Sequence, residues 1–342
     1  MKNKFILRKG NDVDGVKWDT LINNSVYSSP FQTKQFYELC NSTSGYKGYV
    51  YAIEGLDNKY YALCVVSYTY EKGIKSWFSR RAIIYGGPLL LDHYKDSSLE
   101  LLIEEITLDL AHKAIYIEFR NFFNYNSFSS QFNQNGWLYT TYLNVKVNLN
   151  YSSVKELLST FKYNRRREIR LTLNAGLTYE KAKKIDELIS VYRILKDLYK
   201  QRIGLPLPEV SFFKNFWNTG LMKVFIVKDG KLIVGGSFCV VLKGKAIYTF
   251  YYCGLRNYKP KTYPTHLAVL AAMEYGIKNN LKYLDFMGAG KPEYEYGVRN
   301  YKMQFGGELV EYGRYIRINN KFLYYIGSKV IEFKKRIKKS SN

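Results

Sequence analysis

The densest run of cations in the sequence reads FKYNRRREIR. On a helix, four of these cations share one face, because they stand at i, i+3, i+4 and i+8. They are Lys162, Arg165, Arg166 and Arg170. Like charges at this spacing disfavour a helix, and Glu168 alone within the run offsets them. We interpret the face as a surface for a polyanion, either phosphate or nucleic acid, with a solvated face as the alternative.

A second candidate site follows a predicted strand that ends at Gly254. A basic loop comes next and contains Arg256, and Pro264 suits the first turn of the helix that carries His266. Helix N-termini beside cationic loops bind phosphate or carboxylate groups. The segment therefore predicts an anion site that includes Arg256, Tyr263 and His266, and an ordinary solvated loop is the alternative.

The third candidate begins at a strand end, Asp285-Phe-Met-Gly288, and continues in the segment YKMQFGG over residues 301–307. A carboxylate at a strand end, then glycines that let the backbone approach a ligand, then Lys302, suit the rim of a cleft. An Asp285 that only caps a turn is the alternative.

The motifs of several enzyme classes are missing from the sequence. There is no GxxxxGK[ST], no GxGxxG between a strand and a helix, no HExxH and no GxSxG. Three histidines and four widely spaced cysteines predict no metal site, and the cysteines are expected to be reduced, buried thiols. If the protein is an enzyme, we expect it to place two substrates side by side without a covalent intermediate.

Composition narrows the class of protein. The chain has 342 residues, 46% of them hydrophobic, and 52 Lys plus Arg against 29 Asp plus Glu give a net charge of +23. This content excludes a disordered chain, and the length favours two domains. No apolar run is long enough to span a membrane, and residues 5–7 are too short for the core of a signal peptide. We expect a cytoplasmic protein.

Two halves of the sequence read alike. In each half, a helical stretch runs into an apolar segment that contains a carboxylate, Glu118 or Asp285, and these lie 167 residues apart. A hairpin precedes each helical stretch, and one long alternating strand follows each apolar segment, over residues 139–149 and 308–318. Elements in the same order at a nearly constant offset predict a duplicated α/β (α+β) fold, with mixed sheets flanked by helices.

The duplication sets the expected domains. We predict a first domain over residues 1–149 and a second over 150–319, with a helix over 152–173 between the two repeats. A terminal helix over 320–342 is expected to pack back onto the first domain. Its apolar stripe beside a run of cations predicts peripheral contact with an anionic membrane, with a docked helix and a solvated basic end as the alternative. The stripe is Phe322, Ile326, Val330, Phe333 and Ile337, and the cations are Lys329, Lys334, Lys335, Arg336, Lys338 and Lys339.

Five segments together resemble the Fem family of aminoacyltransferases, which build peptidoglycan cross-bridges. They are residues 165–170, 283–288, 301–307, 30–36 and 83–89, and along the chain they follow the family's order. The resemblance implies two tandem acyltransferase domains of the GNAT-like type. It also implies transfer of an amino acid from aminoacyl-tRNA to an amine of a cell-wall precursor, with tRNA as the donor and no cofactor.

The resemblance implies roles for individual residues. Lys302 would stabilise the charge that develops on the donor carbonyl, and Tyr252 would line the same cleft. Donor contacts are expected from Arg165, Arg166, Arg170, Arg256, Tyr263, His266, Asp285 and Gly288. Acceptor contacts are expected from Gln32, Phe36, Gly87 and Arg120. Arg120 departs from the family, whose better-studied members carry an acidic residue there, so the acceptor is left open.

Two other functions stay open at this point. An acyl-CoA-dependent N-acyltransferase that modifies a sugar or a cell-surface polysaccharide precursor would belong to the same superfamily. Such enzymes hold the CoA pyrophosphate with a glycine-rich turn, and residues 256–265 contain no glycine. A basic module that binds nucleic acid or a membrane surface is the non-enzymatic alternative.

Overall fold

Alternating and β-branched segments form two mixed sheets in the computed structural model, which describes residues 5–71, 73, 76–91 and 95–340. Side chains are described as far as residue 330, apart from those of residues 76 and 95. The strands are β1 (Phe5–Lys9), β2 (Tyr46–Gly55), β3 (Tyr60–Thr69), β4 (Arg81–Gly86), β5 (Leu89–Leu90), β6 (Tyr116–Asn121), β7 (Leu138–Thr140), β8 (Leu143–Asn148), β9 (Thr178–Lys181), β10 (Met222–Asp229), β11 (Leu232–Leu242), β12 (Ala246–Gly254), β13 (Tyr283–Gly288), β14 (Glu308–Glu311) and β15 (Arg314–Ile318).

Helices connect and cover these strands. They are α1 (Gly15–Asn24), α2 (Lys34–Ser42), α3 (Ser76–Ser79), α4 (Lys95–Leu110), α5 (Ser129–Gln134), α6 (Val154–Thr160), α7 (Tyr163–Asn174), α8 (Ile185–Leu198), α9 (Val210–Asn218), α10 (Pro264–Lys278), α11 (Gly297–Met303) and α12 (Lys321–Ser340). The chain divides into unit 1, Met1–Tyr142 with Glu311–Phe333, and unit 2, Leu143–Val310 with Lys334–Asn342.

The two sheets have the same strand order. In unit 1 the order is β1-β2-β3-β4-β6-β15-β7, with β5 beside β3, and in unit 2 it is β9-β10-β11-β12-β13-β8-β14. Each sheet has one parallel pair at its centre, β4 with β6 and β12 with β13, and antiparallel neighbours on both sides. The predicted duplication and the mixed α/β fold are therefore confirmed.

The closing strands differ from the sequence prediction. Residues 139–149 are two strands, β7 and β8, and residues 308–318 are also two, β14 and β15. β8 pairs with β13 in unit 2, whereas β15 pairs with β6 in unit 1. The predicted boundaries at residues 149 and 319 are therefore wrong by one strand each, because period-two alternation predicts a strand but not the sheet that it joins.

The helix predicted over residues 152–173 is also two helices. α6 ends before Phe161, which has an extended backbone, and α7 begins after Lys162, which is extended as well. Phe161 is buried against Phe305, so packing holds the chain in this break. The break changes which side of α7 faces the protein.

Each unit has its own apolar core. In unit 1, Leu99, Leu102, Ile103 and Ile106 lie on one face of α4 and are completely buried in the core cluster of unit 1. In unit 2, α10 is buried on nearly all sides from Leu267 to Met273. Each fully buried side chain of this size contributes roughly 1.5–3 kcal/mol to folding, so both helices anchor the strands that they cover.

The first turns of α12 belong to unit 1, where the rings of Tyr324 and Tyr116 meet edge to face at 5.3 Å between centroids. Phe322 and Val330 of the predicted stripe are exposed. Phe333, Ile337 and the cations from Lys334 onward lie outside the residues whose side chains are described. Membrane contact by this helix stays a prediction. No helix in the described part of the chain is long and apolar enough to cross a membrane.

Candidate active site

The parallel pair at the centre of unit 2 separates after three residues. Ala246, Ile247 and Tyr248 of β12 pair with β13, and beyond them both strands continue without pairing to each other in the described structure. The Thr249 hydroxyl donates to the carbonyl of Asp285 at 3.2 Å, at the point of separation. Strands that separate leave main-chain groups without a strand partner, so the opening must be lined by other donors and acceptors.

Lys302 supplies two of those donors. It lies on the short helix α11, and its Nζ donates to the carbonyls of Phe286 and Gly288, each at 2.7 Å. The residue is only 5% exposed, and burial lowers the pKa of its ammonium to about 8. An ammonium carries three N–H groups, and within the described residues the third has no hydrogen-bond partner. It can therefore donate to a ligand.

Asp285 organises the turn below this ammonium. Its Oδ1 accepts from the main-chain N–H of Met287 at 2.6 Å, and Met287 has a φ of +58°. The residue has no exposed surface, and burial raises the pKa of its carboxyl to about 6 against the charges of Lys146 and Lys302. Asp285 is thus a turn residue inside the protein, and its predicted donor contact does not fit this burial.

Aromatic rings line the region beside Lys302. Tyr252, on the part of β12 that has left β13, stacks on Tyr301 with 5.6 Å between ring centroids and 14° between planes. Phe286 meets Tyr252 edge to face, and Phe305 lies 5.3 Å from Tyr301. Burial raises the pKa of Tyr252 well above its usual value, which keeps its hydroxyl protonated. The structure therefore brings Tyr252 and Lys302 together around Phe286, while their catalytic roles stay predictions.

Arg165 is not on the surface with its neighbours. It is 2% exposed, and its guanidinium carbon lies 4.5 Å from the centroid of the Tyr301 ring and 4.6 Å from that of Phe305. One of its nitrogens donates to Gln304 at 2.9 Å. The predicted face of four cations is therefore wrong in this one member, because the break before α7 turns Arg165 inward.

The other cations of this run are exposed. Arg166 and Arg170 lie on the solvent side of α7, and Arg166 also donates to the carbonyl of Ser159 at 2.7 Å. Lys162 is exposed where the helix begins. Arg256 is exposed in the loop after β12. These residues remain available for the phosphate contacts that the sequence predicts.

His266 lies at the start of α10 in a hydrogen-bonded cluster. Its Nε2 is 3.1 Å from Oε2 of Glu168, its Nδ1 is 3.3 Å from the hydroxyl oxygen of Tyr301, and Tyr263 stacks on its ring. Burial and, to a lesser extent, the charge of Arg165 lower the pKa of the imidazole to about 3. Sequence reasoning did not give Glu168 or Tyr301 a role, since the three helices that carry this cluster meet only in the fold.

The predicted acceptor residues all have internal contacts in unit 1. Gln32 is completely buried and bonds to main-chain groups of Val65 and Tyr85, and Phe36 packs on the rings of Phe31 and Tyr85.

The other two predicted acceptor residues are also held internally. Gly87 has a φ of +83°, and a Cβ there would come within 2.5 Å of the Tyr125 ring. Arg120 pairs with Glu118 at 2.8 Å. These contacts account for all four residues without an acceptor, so the acceptor role stays a prediction.

Residues 159–303 match the family model described as an acetyltransferase (GNAT) domain. This region is similar to GNAT acetyltransferase domains. It contains the separated strand pair, Lys302 and the His266 cluster. The predicted enzyme class, an acyltransferase, is thereby confirmed. No curated protein matches the sequence.

Solved structures share the fold over nearly the whole chain. FemX is 16% identical, has a TM-score of 0.72 and covers 93% of this chain and 99% of its own. A tandem GNAT protein from the clavulanic acid biosynthesis pathway, 8% identical with a TM-score of 0.55, covers 92% and 99%. The C-terminal domain of a putative lysylphosphatidylglycerol synthetase from Agrobacterium fabrum, 12% identical with a TM-score of 0.52, covers 78% and 85%. The predicted Fem-like architecture of two tandem GNAT-like domains is confirmed at the level of the fold.

Proposed function

We propose that the protein transfers an aminoacyl group from aminoacyl-tRNA to an amine of a peptidoglycan precursor. The fold shared with FemX supports this reaction class, and the observation that carries the choice of donor lies at the start of α10. In a CoA-dependent enzyme of this superfamily, the turn before this helix holds the CoA pyrophosphate. Such a turn needs free main-chain N–H groups that point at the phosphates.

In this protein several main-chain N–H groups around that turn are used internally. The amide of Leu255 donates to Val234 at 2.8 Å, that of Tyr263 to the Thr172 hydroxyl at 2.9 Å, and that of His266 to Tyr263 at 2.9 Å. Pro264, at the first helical position, has no N–H to offer.

Close packing fills the remaining space at this turn. A Cβ on Gly254 would lie 2.7 Å from the nitrogen of Thr265, so β12 and α10 are nearly in contact here. A diphosphate would find fewer main-chain donors than a glycine-rich turn offers, and little room beside them, which favours a donor without CoA.

The arrangement around Lys302 suits attack on an ester. The amine nitrogen forms a bond to the ester carbonyl carbon, the carbon–oxygen bond to the ribose breaks, and the proton shed by the amine leaves with the released hydroxyl. The third N–H of Lys302 would donate to the carbonyl oxygen as negative charge develops on it. A donor already held by two carbonyls needs little reorganisation at that moment, and such preorganised donors are the strongest contributors to acyl transfer.

An acyl-CoA-dependent N-acyltransferase is the second candidate, because residues 159–303 match a family described as acetyltransferases. The two candidates can be separated with labelled donors. The protein is incubated with tRNA charged with ¹⁴C-amino acids, or with ¹⁴C-acetyl-CoA, and with a peptidoglycan precursor peptide that carries a free amine. We expect label to move from tRNA to the peptide, and RNase treatment of the donor to abolish the transfer.

The control acceptor is the same peptide with its amine acetylated, which should accept no label from either donor. Transfer that survives RNase and requires acetyl-CoA would replace the proposed function by the second candidate. Absence of transfer from charged tRNA to the peptide would reject the proposed function.

A further inference from the structure

Three polar side chains form a hydrogen-bonded line within the GNAT domain. Glu168 lies on α7, His266 on α10 and Tyr301 on α11, and the line runs from the carboxylate through both ring nitrogens to the tyrosine hydroxyl, over 3.1 Å and 3.3 Å. Aromatic rings surround it, including Tyr263 and Phe305. Burying a polar group among aromatic rings costs free energy unless the group is hydrogen-bonded. Each of the three groups must therefore act as the donor or the acceptor that its neighbour needs, and this fixes where the protons lie.

The chemistry of the three groups fixes that arrangement. A carboxylate only accepts hydrogen bonds, and a neutral imidazole has one donor nitrogen and one acceptor nitrogen. His266 therefore donates from Nε2 to Glu168, and its Nδ1 accepts from the hydroxyl of Tyr301. The charged groups that face the ring are Glu168 and Arg165, and burial together with Arg165 keeps the pKa of His266 low enough for the neutral form at pH 7.

With its proton directed at His266, the Tyr301 oxygen is left as an acceptor. Tyr301 is half-buried, and in the described structure its hydroxyl has no hydrogen-bond partner besides His266. Its ring stacks on Tyr252, and the next residue is Lys302, which holds the free N–H donor described above. An acceptor and a donor thus come from neighbouring residues of α11, and acyl transfer to an amine needs one of each.

We propose that the Tyr301 oxygen accepts a hydrogen bond from the N–H of the attacking amine, and that His266 and Glu168 hold Tyr301 in this accepting state. The inference rests on the proposed function, because it assigns the amine to the same site. Tyr301 is then a catalytic residue that contacts the substrate, and His266 and Glu168 are positioning residues. An N–H bound in this way directs the nitrogen lone pair toward the carbonyl carbon.

The first test measures the tautomer of His266 and needs no substrate. The full chain is labelled with ¹⁵N-histidine, and the His266 signals are assigned by their loss in His266→Gln. We expect the Nε2–H tautomer from pH 5 to pH 8. A ring protonated at Nδ1 alone, or an imidazolium at pH 7, would overturn the proposal, because the Tyr301 proton could then point into the site.

The second test uses Tyr301→Phe, which keeps the ring stacked on Tyr252 and removes only the hydroxyl. Loss of one hydrogen bond to the reacting amine is expected to lower kcat about 10- to 100-fold with little change in the KM of the donor. Tyr275→Phe is the matched control, since Tyr275 is a half-buried tyrosine that packs on Phe225 outside the site. It should leave kcat unchanged.

Three outcomes are distinguishable. A Tyr301→Phe protein that transfers at the wild-type rate overturns the inference and leaves the proposed function standing. A wild-type protein that transfers to no amine rejects the proposed function and the substrate contact of Tyr301 with it. Glu168→Gln also removes the ion pair with Arg165, so it is assayed at a temperature where circular dichroism shows the variant to be folded. If the His266 tautomer inverts, kcat must fall under these conditions, and an inverted tautomer at full activity would contradict the role of His266.

Discussion

The central strand pairs of the two units differ, although their sheets share one strand order. In unit 1, β4 pairs with β6 along its whole length, from Arg81 to Gly86. In unit 2, β12 leaves β13 after Tyr248. The two units thus share one strand order, but the central parallel strands separate only in unit 2. Unit 1, the closed unit, satisfies the main-chain groups of this pair by strand pairing. Unit 2, the open unit, must satisfy them with side chains such as Lys302.

The equivalent carboxylates show the same contrast. Glu118 on β6 is held by Arg120 and Arg314, each at 2.8 Å. Burial alone would raise the pKa of Glu118, but the two guanidinium charges outweigh it and lower the pKa to about 2. Asp285 on β13 has no ion pair among the described residues, and burial raises its pKa to about 6. In unit 1 the buried carboxylate is neutralised by two cations, whereas unit 2 keeps a carboxyl and an ammonium beside the separated strands.

Removal of the Lys302 ammonium should have the largest effect. Lys302→Met deletes the donor to the developing oxyanion, and we expect kcat for aminoacyl transfer to fall by at least about 100-fold. The carbonyls of Phe286 and Gly288 also lose their donor, which costs about 1–3 kcal/mol of folding free energy for a group left buried and unpaired. Activity is therefore measured at a temperature where circular dichroism shows the variant to be folded.

The control for this prediction lies in unit 1. Arg314→Met removes a partly buried cation that binds Glu118, so it should lower the melting temperature without lowering kcat. Lys302→Gln keeps a neutral donor and should be more stable than Lys302→Met but still slow. Equal losses of activity in Arg314→Met and Lys302→Met would mean that both units act only through stability.

The sequence predicted the fold that the two units share, but not the separation of strands on which the proposed chemistry depends. The offset between Glu118 and Asp285 predicted the duplicated fold, because equivalent strands carry equivalent patterns. Pairing between β12 and β13 was not predictable, since an apolar strand has the same pattern whether its neighbour stays or leaves. The burial of Arg165 was missed for a local reason, the break at Phe161, which depends on a ring contact with residue 305.

The contributions of Asp285 and Glu118 to stability should change with pH in opposite directions. The folded pKa of Asp285 lies above its usual value of 3.8, so its contribution to stability is complete below pH 3.8 and is lost as the pH rises through about 6. Asp285→Asn should therefore raise the unfolding free energy at pH 7.5 by on the order of 2 kcal/mol and have little effect near pH 4.

For Glu118 the sign is reversed. Its folded pKa lies below the usual 4.5, so its contribution is complete above pH 4.5 and is lost as the pH falls toward about 2. Glu118→Gln should lower the unfolding free energy at pH 7.5 by a similar amount. Urea unfolding at pH 7.5 and pH 4 measures both variants, and a destabilising Asp285→Asn at pH 7.5 would show that the open unit has neutralised its carboxylate as well.

Removal of exposed cations should have the smallest effect, a change in the salt dependence of tRNA binding. Only cations of unit 2 should cause it. If Arg166 and Arg170 contact donor phosphates, the double variant Arg166→Ala/Arg170→Ala loses up to two phosphate contacts. The slope of log Kd for tRNA against log salt, measured by filter binding from about 50 to 200 mM, should then fall by about 1 to 2.

Lys34→Ala/Lys47→Ala in unit 1 is the matched control, because both side chains are exposed and the pair removes the same charge. This variant should leave the slope unchanged, because unit 1 has no separated strands beside which the donor would bind. Equal changes in slope for the two double variants would mean that the net charge of +23 attracts tRNA as a diffuse field and not through a defined site. A change confined to α7 would instead place the phosphates of the donor beside the separated strands.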